Sequence, residues 1–290
     1  MDFESLTIFK TVVDEGGIIA AARKLHRVQS GVTTRIKQLE ASLGVTLFLR
    51  DKRRLILSPA GEIFVGYVEQ LLRLAEQARQ AVLGDVPSGV LRLGTLESTA
   101  ASRLPPLLAH YHQQHPAVRV ALATDTTDAL VEGVVSRTFD AAFVIGRVEA
   151  MGLEAMKAFD EELVIVAPRS HPAIRCAQDV RTDTLICFPI GCAYRRLLHA
   201  WLATGAVVPE KVLELSSYHA IVACVASGTG IALVPRSVLE TVRVRDSIAV
   251  YPLPEEHTRM TTYLVWRHGE LSPALRALQA EICASQPLPA

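Results

Sequence analysis

The sequence is poor in several features that would assign a protein to a special class. It has 5 cysteines in 290 residues, with no CxxC pair, and all of them lie in the second half of the chain. A disulfide framework or a zinc site is therefore not expected. No apolar run approaches the roughly 18 residues of a membrane-spanning helix. The segment MDFESLTIFK has acidic residues where a secretory signal has a basic start, so we expect a cytoplasmic protein without membrane contact.

Motifs typical of enzymes are also missing. The chain has no Walker loop, no GxSxG, no HExxH and no GxGxxG between a strand and a helix. Its 9 histidines show no paired metal spacing. These motifs carry the commonest nucleotide, acyl-transfer and metal chemistry. We therefore expect no catalysis and no cofactor, and the class to consider is a binding protein.

Charge is unevenly distributed along the chain, although the net charge is zero. Residues 1–58 contain 10 basic and 6 acidic residues, a net charge of +4, whereas residues 59–290 contain 20 and 24, a net charge of −4. A small basic segment followed by a larger acidic one is typical of a nucleic-acid-binding domain joined to another domain. The length and the 50% hydrophobic content also suit two domains.

The first residues predict two short helices. One apolar face recurs at Phe3, Leu6, Phe9, Val12 and Val13, and Gly16–Gly17 ends that helix. A second helix over residues 18–26 contains three consecutive alanines, which permit close packing against a neighbour. A tight turn at residues 26–28 then leads to a third helix.

The stretch LHRVQSGVTTRIKQLE, residues 25–40, predicts that third helix with two different faces. Its apolar positions recur at spacings of three and four, so one face packs. The other face carries side chains that suit phosphates and base edges, and that also occur on any solvated helix: Gln29, Ser30, Thr33, Thr34, Arg35 and Lys37. This order of helices forms a helix-turn-helix, in which the start of the last helix enters the major groove.

A small hairpin with a basic tip follows in the segment GVTLFLRDKRRLILSPAG. Two short apolar runs flank the charged turn at residues 50–54. The turn would be merely solvated if it stood alone, but beside a recognition helix it predicts a wing that contacts phosphates. The side chains assigned to that contact are Arg50, Arg53 and Arg54.

Together these segments resemble the LysR-type transcriptional regulators. The resemblance covers residues 1–65 nearly position by position, in FESLTIFKTVVDEGG, AAARKLH, QSGVTTRIKQLEASLGVTLFLR and LSPAG. It implies an α+β multidomain protein with a winged helix-turn-helix DNA-binding domain at 1–58, a linker helix and hinge at 59–89, and an effector-binding domain at 90–290. It also implies a homotetramer that bends promoter DNA, with RNA polymerase as a further partner.

Two positions of the third helix depart from the family pattern. Val28 stands where the family commonly has Ser or Thr as a helix cap, and a lost cap typically costs about 1 kcal/mol. Thr34 stands where many members have Arg. We therefore expect Gln29, Ser30, Thr33 and Thr34 to face bases, and Arg35 and Lys37 to face phosphates.

Ser58–Pro59 predicts the start of a long helix, since it offers a capping oxygen followed by a residue that needs no amide hydrogen. From there small and apolar residues alternate spacings of four and three: Ala60, Phe64, Tyr67, Leu71, Leu74, Ala78 and Ala81. Such a heptad pattern favours packing against a like helix. The alternative is an amphipathic helix lying on its own domain. In the resembled family this helix dimerises, which assigns dimerisation to Phe64, Tyr67, Leu71, Leu74 and Ala78, and DVPSG at 85–89 is the expected hinge.

From residue 90 the pattern predicts an α/β domain, because buried-strand runs such as VLRLGTL, VRVALAT and ELVIVAP alternate with helical stretches. The resemblance implies two subdomains like those of periplasmic binding proteins, about 90–163 with 267–290, and about 164–266. The chain should cross near Val164 and return near Tyr263 to Arg267. GTGIALVPRSVL is the best local signature.

A ligand in such folds lies between the subdomains at strand ends and helix starts. Residues there are the candidate effector site, although each Ser or Thr among them also suits a simple helix cap: Glu97, Ser98, Thr99, Thr126, Thr127, Asp128, Arg147, Cys192, Tyr194, Ser217, Tyr218 and His219. The segments LESTAA, CAYRR and LVWR resemble the subgroup that includes the putrescine-utilisation regulator, which suggests an amine or amino-acid-derived effector. The alternative is a redox-sensing thiol at Cys192.

Overall fold

The computed structural model describes residues 1–51, 54–82, 86–146, 148, 151–182, 184–242, 247–254 and 258–285. The chain divides into two compact units, Met1–Gly84 and Asp85–Ala290. Within the described ranges, no helix has both the length and the apolar character needed to cross a membrane.

The first unit is built from short helices, a hairpin and one long helix. In chain order these are α1 (Phe3–Asp14), α2 (Ile18–Lys24), α3 (Gln29–Leu43), β1 (Phe48–Asp51), β2 (Arg54–Leu57) and α4 (Pro59–Val82). Asp2 caps α1 by accepting a 2.8 Å hydrogen bond from the Ser5 amide. The buried ring of Phe9 contacts Phe48 and Phe64 at 5.3 and 5.2 Å between centroids, which joins α1, the hairpin and α4 in one core.

The start of α4 is fastened to the segment before the hairpin. Ser58 Oγ accepts a hydrogen bond from the Gly61 amide (3.0 Å) and donates one to the Thr46 carbonyl (2.6 Å), while the Ser58 amide donates to the Leu47 carbonyl (2.9 Å). A Cβ on Gly61 would overlap that same Leu47 oxygen. The helix start predicted at Ser58–Pro59 is therefore confirmed, and its close approach requires glycine at position 61.

The second unit is an α/β fold. Its helices are α5 (Glu97–Ser102), α6 (Leu104–Gln114), α7 (Thr127–Val135), α8 (Ala193–Thr204), α9 (Tyr218–Ala226), α10 (Arg236–Leu239) and α11 (Pro273–Ser285). Its strands are β3 (Gly89–Thr95), β4 (Val118–Thr124), β5 (Ala141–Ile145), β6 (Leu153–Pro168), β7 (Thr184–Cys187), β8 (Lys211–Glu214), β9 (Ala232–Pro235), β10 (Ile248–Pro252) and β11 (Arg259–Arg267).

Strand β6 takes part in both halves of this unit. Its first part pairs with β11, which continues through β5 and β3 to β4. From Leu163 onward β6 pairs with β9 and β10 instead. The parallel pair β7–β8 extends the second half through a bridge between Leu185 and Ile231. Crossing near Val164 is thus as predicted.

The return between the halves comes earlier than the sequence analysis placed it. The whole of β11 pairs with β5 or the first part of β6, so Arg259–Arg267 belongs to the first half. The return therefore comes before Arg259 and not at Tyr263 to Arg267. The apolar run TTYLVWR predicted a strand correctly, but a buried strand reads the same in either sheet.

Candidate functional site

Helix α3 buries one face and exposes the other. Val32, Ile36 and Leu39 are buried in the core of the first unit. On the other face Gln29, Ser30, Thr34 and Lys37 are exposed, as an interface with DNA requires. No side chain in the described part of this unit caps α3 at Val28, so the first-turn amides lack a side-chain acceptor.

Two predicted DNA-binding side chains of α3 already have partners in the protein. The half-buried Thr33 donates its hydroxyl to the Gln29 carbonyl (2.9 Å), which leaves its methyl group for other contacts. The Arg35 guanidinium donates to Glu4 on α1 (3.0 Å). Arg27, in the turn before α3, donates to the other oxygen of the same carboxylate.

The hairpin β1–β2 has the register expected of a wing, with Asp51 opposite Arg54. Arg50 and Arg54 lie on its two strands next to the turn. Lys52 and Arg53, at the predicted tip, lie outside the described residues. Leu49 and Ile56 pair across the strands and are each 44% exposed. The wing thus carries an apolar surface that the sequence analysis did not identify.

The residues assigned to dimerisation divide into two groups along α4. Phe64 and Leu71 are half-buried against the core of their own unit. Tyr67, Leu74 and Ala78 are exposed, with Tyr67 at 61% and Leu74 at 53%. One face therefore packs on its own domain, while the other is apolar and exposed, and packing of that face against a like helix stays a prediction. Ile63, exposed at 68%, extends the uncovered face.

A cleft of about 320 Å³ lies in the second unit where β4, β7 and the start of α5 meet. Its lining combines carboxylate, hydroxyl and apolar side chains: Glu97, Thr124, Asp125, Thr126, Phe188, Pro189, Ile190 and Ser216. The β4 and β7 ends that meet here belong to different halves of the unit. This is the position in which folds of this kind bind small molecules.

Glu97 is the central polar residue of this cleft. Its Oε1 accepts a hydrogen bond from the amide of Tyr218, at the first turn of α9 (3.3 Å). Its Oε2 is buried and has no hydrogen-bond partner in the described part of the chain. Burial raises the pKa of this carboxyl above its ordinary value of 4.5, against the opposing effects of the Tyr218 amide, of His219 and of the Ser217 side chain.

Further buried hydroxyl groups around the cleft also lack partners among the described residues. They are the hydroxyls of Thr99, Thr127 and Tyr194. Ser98 is buried in the first turn of α5. Ser217, which precedes α9, makes no side-chain cap with that helix. Unsatisfied buried hydroxyls cost free energy unless a ligand or water completes them.

Charged residues from the two halves pair with each other close to the lining residues Thr126 and Ile190 in the chain. Asp128 on α7 lies 3.4 Å from Arg196 on α8, and both side chains are more than half exposed. Gly191 approaches Thr126 closely, since a Cβ on this glycine would lie 3.1 Å from the threonine hydroxyl. His219 is exposed, and Arg147 lies outside the described residues.

The cysteines give no support to a redox sensor. All five are free thiols, and Cys187 and Cys192 are buried. Burial raises the pKa of the Cys192 thiol and of the Cys187 thiol, which opposes the thiolate form that reacts with oxidants. The described residues also contain no cluster of acidic, His or Cys side chains able to hold a metal ion.

Several cleft residues escaped the sequence analysis. Phe188, Pro189 and Ile190 form the apolar part of the lining, and the Pro-Ile-Gly turn after a buried strand was the signal available for them. Arg196 escaped because it lies inside a helix. Glu4 was missed because 31 residues separate it from Arg35.

Comparison with known proteins shows two family models along the chain. Residues 3–62 match "Bacterial regulatory helix-turn-helix protein, lysR family", and residues 84–284 match "LysR substrate binding domain". The chain is 39% identical to the HTH-type transcriptional regulator GltR of Bacillus subtilis over 280 residues, which cover 96% of this chain and 94% of that protein.

Solved structures agree with these matches. The crystal structure of full-length CbnR complexed with its target DNA superposes with a TM-score of 0.72 at 26% identity, covering 99% of this chain and 100% of that one. A full-length OxyR variant from Pseudomonas aeruginosa, at 23% identity and a TM-score of 0.71, shares the fold over 97% of both chains. The narrower resemblance to the putrescine-utilisation subgroup finds no support in these relatives and stays a prediction.

Proposed function

The chain belongs to the LysR family of bacterial transcriptional regulators, and we propose that α3 reads promoter DNA while the cleft binds a small cationic amine. As a family member it is a DNA-binding transcriptional regulator with an effector-binding domain, and it is not an enzyme. The fold class predicted from the sequence is confirmed. The assignments of individual residues below are our proposals.

On α3 the exposed side chains of Gln29, Ser30 and Thr34 face base edges. Amide and hydroxyl groups there donate and accept in the major groove, and the threonine methyls suit thymine. Lys37, exposed one turn later, contacts a phosphate. Thr33 contributes its methyl group only, since its hydroxyl is bonded to the helix.

Dimerisation occurs through the uncovered face of α4, with Tyr67, Leu74 and Ala78 at its centre and Ile63 at one end. Large apolar side chains at such exposure are costly in water and stabilise an interface when covered. Two recognition helices then address two half-sites, and pairs of dimers form the tetramer. A second copy of the chain, promoter DNA and the effector are thus the proposed partners.

One observation carries the effector class: the buried Glu97 Oε2 lacks a partner in a cleft whose described lining includes two carboxylates and no basic side chain. An ammonium group would donate to Glu97 and neutralise its buried charge. A carboxylate ligand would meet repulsion from Glu97 and Asp125.

Calorimetry of the full chain tests the effector class. We expect 1,4-diaminobutane to bind with measurable heat and succinate, a diacid of similar length, to give none. Binding of succinate without binding of the diamine would overturn the proposal. A monoamine of equal length shows whether the second ammonium group contributes, through Asp125 or Asp128.

The α3 assignments are tested by comparing the affinities of the full chain for two DNA duplexes, one selected from a random library by the wild-type chain and one of equal composition with a shuffled sequence. We expect Thr34→Ala to weaken the selected duplex by about fivefold to tenfold and to leave the shuffled duplex unchanged, because only base contacts depend on sequence. Lys37→Ala should weaken both duplexes equally and reduce the salt slope by about one. Equal losses on both duplexes for Thr34→Ala would remove it from base reading.

A further inference from the structure

The carboxylate of Glu4 lies between two cations of the DNA-binding surface. One oxygen accepts from Arg35 on α3 at 3.0 Å, and the other accepts from Arg27 in the turn before α3. Asp2, which caps α1, adds a second carboxylate 4.0 Å from Arg35. Glu4 therefore pairs with two arginines, one in the turn before α3 and one on α3 itself.

This arrangement contributes little to the stability of the fold. The side chains of Glu4, Arg27 and Arg35 are 43%, 45% and 40% exposed, and ion pairs at such exposure contribute little to stability because water and salt screen them. An acidic residue next to DNA, by contrast, is repelled by phosphates and offsets nearby cations. The consequence of Glu4 is therefore expected in DNA binding and not in folding.

We propose that Glu4 is a positioning residue that raises the DNA specificity of the chain, because it keeps Arg27 and Arg35 from binding the phosphates of non-specific DNA. On random DNA, affinity comes from cations free to neutralise whichever phosphate is near. On a matching site, base contacts fix α3, and Arg35 meets a phosphate in the orientation that Glu4 already gives it. The inference rests on the proposed function of α3 in reading promoter DNA and on the phosphate contact of Arg35 that the sequence predicts.

The decisive variant is Glu4→Gln, which keeps the side-chain shape and removes the charge. The probes are a duplex selected from a random library by the wild-type full chain and a shuffled duplex of equal composition. At about 0.1 M salt we expect the variant to bind the shuffled duplex about threefold to tenfold more tightly, with a salt slope steeper by about 1 to 2 for each DNA-binding domain. The selected duplex should gain less, so that the specificity ratio falls.

Glu15→Gln is the matched control. Glu15, at the end of α1, also forms a surface ion pair, in this case with Lys24 at 2.5 Å. The substitution Glu15→Gln changes the net charge by the same amount as Glu4→Gln. A control that equals Glu4→Gln on the shuffled duplex would overturn the proposal, since the effect would then be one of net charge. An unchanged or weaker affinity of Glu4→Gln for the shuffled duplex would overturn it as well.

A variant that lacks both arginines shows whether Glu4 acts through Arg27 and Arg35. In the double variant Arg27→Gln/Arg35→Gln, we expect Glu4→Gln to have no further effect on the salt slope. A persistent effect would mean that Glu4 repels DNA directly and would contradict the positioning role. If Arg35→Gln alone leaves both affinities unchanged, the proposed phosphate contact of Arg35 fails, and that result is distinct from a failure of Glu4→Gln.

Discussion

The two units hold their functional side chains in opposite states. On the proposed DNA-binding surface, Arg35 and Thr33 are partly exposed and form hydrogen bonds within the protein. In the cleft, Oε2 of Glu97 and the hydroxyl of Thr127 are buried and have no hydrogen-bond partners among the described residues. An exposed side chain that exchanges a protein partner for a DNA partner contributes little to the free energy of binding. A buried atom without a partner contributes the full value of the hydrogen bond that the ligand completes.

This contrast sets the expected size of substitutions. Hydrogen bonds to charged groups contribute about 1.5 to 3 kcal/mol, while exposed ion pairs contribute about 0 to 1 kcal/mol. Substitutions in the cleft should therefore change effector affinity more than substitutions of exposed cations change DNA affinity.

The largest effect is expected from Glu97→Gln. The amide keeps the shape but cannot neutralise an ammonium group, so the affinity of the full chain for 1,4-diaminobutane should fall about 10-fold to 100-fold. Calorimetry measures this loss. Glu154→Gln removes an exposed carboxylate paired with His268 and should keep the wild-type affinity. A Glu97→Gln protein that binds the diamine normally would contradict the contrast between the units.

A smaller effect is expected at the dimer face of α4. Leu74→Asp places a charge on the uncovered apolar surface and should weaken the dimer about 30-fold, as the loss of a central apolar contact does. Sedimentation velocity over a dilution series measures the change. Leu72, half-buried against the core of its own unit, gives the comparison: Leu72→Ala should lower the unfolding temperature and leave the dimer intact.

The pH dependence of effector affinity sharpens the description of the cleft. Burial raises the pKa of Glu97 above 4.5, so the carboxylate forms only as the pH rises through the raised value. Diamine affinity should therefore be weaker at acidic pH and increase as the pH rises through the raised pKa. Without ligand the sign is reversed: Glu97 stabilises the fold below its ordinary pKa, and this contribution is lost as the pH rises through the raised one.

The exposed His219 lowers the pKa of Glu97, against the effect of burial. His219→Gln separates the two contributions, because the pH dependence that remains belongs to the carboxyl group. Abolition of the whole dependence by His219→Gln would assign it to the imidazole and not to Glu97.

The smallest effect is expected at Cys192. Because burial raises the pKa of its thiol, the substitution Cys192→Ala should change the DNA affinity measured in peroxide by less than about twofold. The measurement is a gel-shift titration with and without peroxide. A peroxide response in the wild type that the variant lacks would reverse this interpretation.

Prediction from sequence succeeded where a local pattern and the final structure agree. The helix α3, the hairpin and the start of α4 follow from apolar spacing, a charged turn and Ser58–Pro59. The strand β6 was predicted only from residue 162 onward, since its first part, LEAMKAFDEE, is rich in good helix formers and becomes a strand through pairing with β11. The short strand β8, KVLE, is exposed and charged and gives no apolar signal.

The candidate sites divide in the same way. Side chains at helix starts, such as Glu97 and Thr127, were predictable because open α/β folds gather these positions at one edge. Contacts between distant segments were not, and Glu4 beside Arg35 is the clearest case. Nor does a heptad pattern distinguish a residue that packs on its own unit, such as Leu71, from one that remains uncovered, such as Leu74.

Because its start is anchored at Ser58 and Gly61, a tilt of the long helix α4 is transmitted to the helix-turn-helix. Its 24 residues extend about 36 Å at 1.5 Å per residue. The hydrogen bonds to Thr46 and Leu47 lie next to the wing, so the end near Pro59 cannot swivel independently of the hairpin. A tilt of about 5° at that fixed end displaces the far end by about 3 Å over this length. If α3 reads DNA as proposed, displacements of a few ångströms near Val82 would therefore change the orientation of α3 on DNA.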